Sequence, residues 1–149
     1  MHDPRRHRAL AKIATIRAAE RDAARHELFA ANERERAARE AGRRADEATL
    51  AAAAEWQEQI ATGGFHPELA SALAGRLIVR VGEAEGAHAH SAAMTGEREA
   101  GEAAWQLGNA RHRQADEAFA ASRRAAARDR DERALEALAD RVSFDWTRR

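Results

Sequence analysis

One break divides the sequence into two long segments, and it lies at Thr62-Gly63-Gly64-Phe65-His66-Pro67. Paired glycines end helices readily, because glycine adopts the left-handed conformation without a Cβ penalty. Pro67 suits the first turn of a helix, where its missing N–H would have no partner. We therefore predict one helix over about residues 4–61, a turn over 62–66 and a second helix over about 67–140. A connection this short makes the helices antiparallel neighbours.

The composition also favours long helices. Ala, Arg, Glu and Leu are strong helix formers, and alanine supplies most of the 44% hydrophobic content. The 149 residues suffice for one domain, predicted to be all-α: a single antiparallel coiled-coil hairpin over residues 1–141 with a frayed tail over 142–149. The 25 basic and 25 acidic residues cancel, so net charge gives no reason to expect nucleic acid or an anionic membrane as partner.

Two further features of the sequence predict a soluble intracellular protein. The stretch from Met1 to Arg6 lacks the apolar core of a signal peptide. The most apolar window, Leu69 to Val81, is too short to span a bilayer and contains Arg76 and Arg80. The absence of cysteine excludes disulfides and thiolate chemistry, and it fits a reducing compartment.

The first helix is predicted to open with Asp3 as its N-cap and Pro4 at its first position. An apolar stripe of Leu10, Ile13 and Ile16 follows near its start. A heptad seam that consists mostly of alanine then continues at three- and four-residue steps or their multiples. Glu35, Gly42 and Thr49 are weak points for apolar packing in this seam. Its members are Leu28, Ala31, Ala38, Ala45, Ala52 and Trp56.

The second helix carries a matching seam in which small residues dominate. Glycine costs roughly 1 kcal/mol against alanine in a helix interior, so the glycines at 82, 86, 96, 101 and 108 predict a pliable helix or one that needs a partner there. The predicted seam residues are Leu73, Leu77, Ala84, Ala87, Ser91, Met94, Arg98, Gly101, Trp105, Gly108, His112, Ala115, Phe119, Ser122 and Ala126.

The large residues of the two seams predict a register. Facing residues in an antiparallel pair have position numbers with a constant sum. The position numbers of Trp56 and Leu77 add up to the same value as those of Leu28 and Trp105. The position numbers of Ile13 and Phe119 add up to one less. We therefore predict that these large side chains meet one another.

No catalytic constellation or cofactor site is apparent in the sequence, and the protein is predicted not to be an enzyme. His88 and His90 point to different faces of a helix, and Glu85 with His88 would supply only two metal ligands. No phosphate-binding glycine loop is present, and a two-helix hairpin offers no pocket for a serine nucleophile. We predict no metal site.

Charged and apolar clusters leave two interpretations open. Arginine pairs such as Arg43-Arg44 and Arg123-Arg124 have acidic neighbours, which favours solvated helix faces, although the basic excess at the ends could meet an acidic partner. A dense apolar group of Trp56, Leu73, Leu77, Ile78 and Val81 lies near the turn. It is either a binding surface or local packing that holds the hairpin together.

The sequence combines its size and helix–turn–helix plan with Arg/Glu/Ala-rich heptads, a late Trp56 and the apolar cluster of Leu69, Leu73 and Leu77. In these features it resembles the FliJ family. FliJ is the small soluble component of the bacterial flagellar type III export apparatus, and YscO is its injectisome counterpart. The resemblance covers roughly Leu10 to Asp140. The glycine-rich second helix and the aromatic tail, Phe144 to Trp146, depart from the family pattern.

This resemblance implies a non-enzymatic stalk or adaptor at the inner-membrane export apparatus. The partners would be the export ATPase ring, the cytoplasmic domain of the export gate and export chaperones, with the protein a monomeric cytoplasmic hairpin. By position, the gate-facing residues would be Thr49, Ala52, Trp56, Leu73 and Leu77. The residues at the end expected to meet the ATPase would be Arg5, Arg6, Arg8, Leu10, Ile13 and Phe119. The alternative is a structural coiled coil that scaffolds or oligomerises without any link to secretion.

Overall fold

A computed structural model describes residues 3–62 and 66–147, and it contains two helices over these ranges, α1 (Pro4–Thr62) and α2 (Pro67–Thr147). Side chains are described from 3 to 61 and from 66 to 144. The helices pack antiparallel, so the predicted all-α hairpin fold is confirmed. The predicted helix-ending glycines, Gly63 and Gly64, lie outside the described residues.

Both helices begin where the sequence predicts. The Asp3 carboxylate accepts a hydrogen bond from the Arg5 N–H at 2.9 Å, and the Asp3 carbonyl accepts one from the His7 N–H at 3.1 Å. Asp3 is therefore the N-cap of α1, with Pro4 at the first helical position. α2 begins at Pro67, and the His66 carbonyl accepts a hydrogen bond from the Ala70 N–H.

The chain divides into two compact units. The loop unit comprises Arg25–Ala103, and the terminal unit comprises Met1–Ala24 with Ala104–Arg149. Each unit contains one segment of each helix.

In the loop unit the core is a thin seam of alanines. Ala31, Ala38 and Ala52 of α1 and Ala84 of α2 are buried. Close contact is possible because small side chains separate the backbones: a Cβ added to Gly101 would lie 3.7 Å from the Leu28 Cα. The Thr49 hydroxyl donates to the Arg80 carbonyl across the same seam, at 3.1 Å.

The terminal unit has a similar seam with more polar members. A Cβ added to Gly108 would lie 3.5 Å from the Arg21 Cα. The His7 Nδ1 lies 3.0 Å from the Ser122 hydroxyl, and the His7 ring packs at 5.2 Å from the Phe119 ring. Ala115 is buried between these contacts.

Contacts across the seam show which residues of the two helices lie near one another. Gly101 lies against Leu28 and Ala31, and Thr49 donates to the Arg80 carbonyl. Glu35 pairs with Arg98, and the numbers of these two residues have the predicted sum. The predicted meetings of Leu28 with Trp105 and of Trp56 with Leu77 stay predictions.

Only part of the predicted apolar stripe at the start of α1 lies in the seam. Leu10 is partly buried, but Ile13 and Ile16 are 45% and 56% exposed. Heptad geometry instead puts Ala14 and Arg17 on the inner face of the terminal unit, where both are partly buried. The Phe119 ring contacts His7, and its predicted meeting with Ile13 stays a prediction.

The predicted frayed tail is helical as far as the structure describes it. α2 continues past Asp140 to Thr147, and the Ser143 hydroxyl donates to the Asp140 carbonyl at 3.0 Å. No glycine or proline interrupts the sequence there. The side chains from 131 to 144 are all exposed, because the terminal-unit register leaves no α1 residue opposite them.

The glycines of α2 yield a first prediction. A Cβ on Gly86 would meet nothing within 4 Å. Gly86→Ala should therefore raise the free energy of unfolding by up to about 1 kcal/mol, and with it the thermal midpoint of unfolding. Gly101→Leu should lower it, because a large side chain would press on the Leu28 backbone. Thermal melts followed by circular dichroism measure both. A lower midpoint for Gly86→Ala would contradict the conclusion that the face of α2 at Gly86 is open.

Candidate partner-binding surfaces

The five residues predicted to face an export gate lie together in the loop unit, but inside the seam. Ala52 is buried, and Thr49, Trp56, Leu73 and Leu77 are partly buried. The Thr49 hydroxyl also donates to the Ala45 carbonyl of its own helix. These side chains therefore hold α1 and α2 together, and most of their surface is already covered.

A different set of apolar side chains is exposed beside that seam. We name Leu50, Ile60, Ile78 and Val81 the loop-unit patch. Ala53 of α1 and Ala74 of α2 lie on the same flank and are partly buried. Ile78 and Val81 belong to the apolar group that is visible in the sequence, whereas Leu50 and Ile60 are found only from the heptad positions that flank the observed seam.

The opposite flank of this part of the loop unit is polar. Arg76 donates to the Glu55 carboxylate at 2.7 Å across the two helices, and Arg80 donates to Glu83 at 2.6 Å. The two arginines that interrupt the apolar window are thus both paired with carboxylates on this flank. The two flanks differ sharply in character, and the apolar flank is the candidate binding surface.

The residues predicted to meet an ATPase divide between the surface and the seam of the terminal unit. Arg5, Arg6 and Arg8 are exposed, as is Ile13, whereas Leu10 and Phe119 are partly buried. The antiparallel arrangement brings four exposed arginines of α2 beside the start of α1. With Pro4, His7 and Asp129 they line a groove of about 640 Å³, and they are Arg123, Arg124, Arg130 and Arg133.

Charge is divided unequally between the units, although the chain is neutral. The loop unit has nine basic and fourteen acidic residues, a net charge of −5. The terminal unit has the remaining sixteen basic and eleven acidic residues, a net charge of +5. The arginine-lined groove therefore belongs to a unit with a positive field, which favours an acidic partner.

Glu35 and Thr49 of α1, which the sequence predicts to be unfavourable in an apolar seam, instead make polar contacts with α2. Glu35 is only 6% exposed, and its carboxylate pairs with Arg98 across the seam at 3.3 Å and with Arg39 at 2.7 Å. A hydrogen bond from the Thr95 hydroxyl, followed by the charges of Arg39 and Arg98, lowers the pKa of Glu35 below its ordinary value of 4.5 against the opposing effect of burial.

His88 also contacts the other helix. Its ring covers Gly42, at 3.6 Å from the position of an added Cβ, and its Nε2 lies 2.8 Å from the Asp46 carboxylate. His90 is exposed. Within the described part of the chain, no three His, Cys, Asp or Glu side chains are arranged to hold a metal ion.

Comparison of the chain with protein-family models, with curated proteins and with solved structures finds no match. Over their described residues, neither α1 nor α2 has a stretch with the length and hydropathy that a membrane span requires.

The pKa of Glu35 generates a second prediction. Because this pKa is lower in the folded protein, the carboxylate contributes stability that is complete above about pH 4.5 and is lost as pH falls through the lower folded value. Glu35→Gln should therefore reduce the fall in thermal midpoint between neutral and acidic pH. Circular dichroism melts across a pH series measure it.

Arg98→Gln is the matched variant, because it removes the partner from the other helix. It should reduce the same acid dependence, and the double variant should lose less than the two single losses combined. An unchanged pH profile in Glu35→Gln would show that this carboxylate does not stabilise the helix pair.

Proposed function

We propose that this protein is a non-enzymatic stalk and adaptor of a bacterial flagellar export apparatus, as its resemblance to the FliJ family suggests. It would couple the export ATPase ring to the export gate and to chaperones at the cytoplasmic face of the inner membrane. The observation that carries the proposal is the chemical difference between the units. One is basic with exposed arginines, and the other is acidic with an exposed apolar patch.

The terminal unit supports contact with an acidic partner. Arg5, Arg6 and Arg8 extend from the first turns of α1, and Arg123 and Arg124 of α2 line a groove with Pro4 and His7. Arginine binds carboxylates with two parallel hydrogen bonds and a matching charge. A surface of this kind speeds association with an acidic surface and loses that advantage as salt rises. We assign the ATPase contact to this unit.

The loop unit supports the proposed gate contact in a modified form. Trp56, Leu73 and Leu77 are largely engaged between the helices, so their role is to hold the apolar surface in shape. Leu50 and Ile78, which lie beside them and are exposed, would make direct contact. Alanine at Leu77 would then weaken gate binding by loosening the helix pair, whereas alanine at Ile78 would weaken it without loss of stability.

A second function is favoured by the outer face of α2. Ten exposed positions at alternating three- and four-residue steps carry only Ala, Gly or Val, and the equivalent face of α1 carries several charges. Such a face suits a structural coiled coil that joins further helices without any role in secretion. The ten residues are Ala72, Gly75, Val79, Gly82, Gly86, Ala89, Ala93, Gly96, Ala100 and Ala103.

Charge reversal tests the proposed function. The triple variant Arg5→Glu, Arg6→Glu, Arg8→Glu should weaken binding to the purified export ATPase about tenfold or more, within the range by which electrostatic steering accelerates association. The control reverses Arg36, Arg43 and Arg44, three exposed arginines of α1 in the loop unit, and should keep most of the binding. Titrations at two salt concentrations measure both variants.

Two results would contradict this function. One is the failure of the wild-type protein to bind either the export ATPase or the gate domain at low salt. The other is equal loss of ATPase binding in the triple variant and in its control. A gene neighbourhood that contains the flagellar export ATPase would support the same assignment independently.

A further inference from the structure

The loop-unit patch is a continuous apolar flank formed by both helices. Its most exposed member is Ile78, at 72%, and Leu50 of α1 is exposed to a similar extent. All eight positions on this flank are uncharged, whereas Glu55, Arg76 and Glu83 lie on the opposite flank. They are Leu50, Ala53, Gln57 and Ile60 of α1 with Ser71, Ala74, Ile78 and Val81 of α2.

The nearest charges leave this flank accessible to an apolar partner. Between residues 48 and 62 and between 66 and 82, the only charged residues are three glutamates and two arginines. Arg76 and Arg80 are held by Glu55 and Glu83 on the opposite flank. The acidic excess of the loop unit therefore lies mainly outside this part, and two copies of the patch would meet with little repulsion.

The size of the flank fits a second copy of this chain. On each helix it extends over about ten residues, or about 15 Å, and it is two helices wide. Two such faces pressed together would bury on the order of 1,000 Å², which is the lower limit for a specific interface and indicates a dimer that dissociates on dilution. Gly75 and Gly82, with nothing within 4 Å of an added Cβ, adjoin the patch and allow another helix to approach closely.

We propose that the loop-unit patch is a self-association surface, through which two copies of this protein form a four-helix bundle. The apolar side chains of α1 and α2 in one copy pack on those of the other, as the inner faces of a four-helix bundle do. This inference goes beyond the proposed function and does not depend on it. Because both assign contacts to Leu50 and Ile78, the dimer would dissociate before the gate binds. The dimer departs from the monomeric hairpin that the family resemblance implies.

Sedimentation equilibrium of the full chain over a wide concentration range tests this proposal. The wild-type protein should show a reversible monomer–dimer equilibrium. Ile78→Glu should raise the dissociation constant at least about tenfold, because a carboxylate would be buried in an apolar interface. Leu50→Glu should do the same from the other helix. Circular dichroism should show unchanged helicity in both variants, because both side chains are exposed.

Leu135→Glu is the matched control. Leu135 is 66% exposed on the same helix but lies in the terminal unit, so its replacement should leave the dimer intact. A wild-type protein that is monomeric at every concentration would overturn the proposal. Dimerisation that Leu135→Glu abolishes and Ile78→Glu does not would also overturn it, and would assign self-association to the end of α2.

A spin label provides an independent measurement, because the chain has no cysteine. Ser71→Cys introduces a single attachment point on the flank. Labels on different copies should show dipolar coupling at concentrations where the dimer forms, and Ile78→Glu in the same chain should abolish it. Coupling that persists in the Ile78→Glu variant would place the interface elsewhere.

Discussion

Two helices with seams of small side chains can slide past one another by a heptad unless something other than apolar burial fixes their position. Alanine and glycine bury little area, and they fit opposite each other in several registers. In the loop unit, polar contacts supply the missing selectivity. The Glu35–Arg98 ion pair and the Thr49 hydrogen bond to the Arg80 carbonyl both join the two helices across the seam.

A buried ion pair is weak evidence for stability, because the cost of desolvation opposes the attraction between its charges. Its better-attested role is to specify register, since a one-heptad slip would leave Glu35 buried without Arg98. Thr95 and Arg39 complete the environment of the carboxylate and keep its charged form favoured. The polar residues of the seam thus do what large apolar residues do in most coiled coils.

The surfaces available for binding follow from this arrangement. Because the seam uses few large residues, several of the remaining ones, such as Leu50 and Ile78, lie outside it and are exposed. Charges then concentrate on other faces, with a basic excess in the terminal unit and an acidic excess in the loop unit. The protein therefore presents an arginine-lined groove in one unit and an uncharged flank in the other.

Much of the fold could be predicted from the sequence, because its signals are local. Asp3-Pro4 and Pro67 mark helix starts, and all fifteen predicted seam positions of α2 are buried or partly buried. Large side chains alone did not indicate the contact of Leu28 with Gly101, where the missing Cβ lets the two backbones approach closely. Ile13 and Ile16 show a related limit: an apolar residue does not enter a seam when the heptad places it elsewhere. Of the candidate sites, the basic residues of α1 are exposed as expected, whereas the position of Arg123 and Arg130 beside the start of α1 follows only from the antiparallel pairing.

The register of the loop unit can be measured by disulfide formation, because the chain has no cysteine of its own. Leu28→Cys with Gly101→Cys should form an intramolecular disulfide readily under mild oxidation, since the backbones lie within bridging distance there. Glu35→Ala should slow this reaction. Efficient cross-linking of Leu28→Cys with Trp105→Cys, together with none at Gly101, would contradict the register and the role assigned to the Glu35–Arg98 pair.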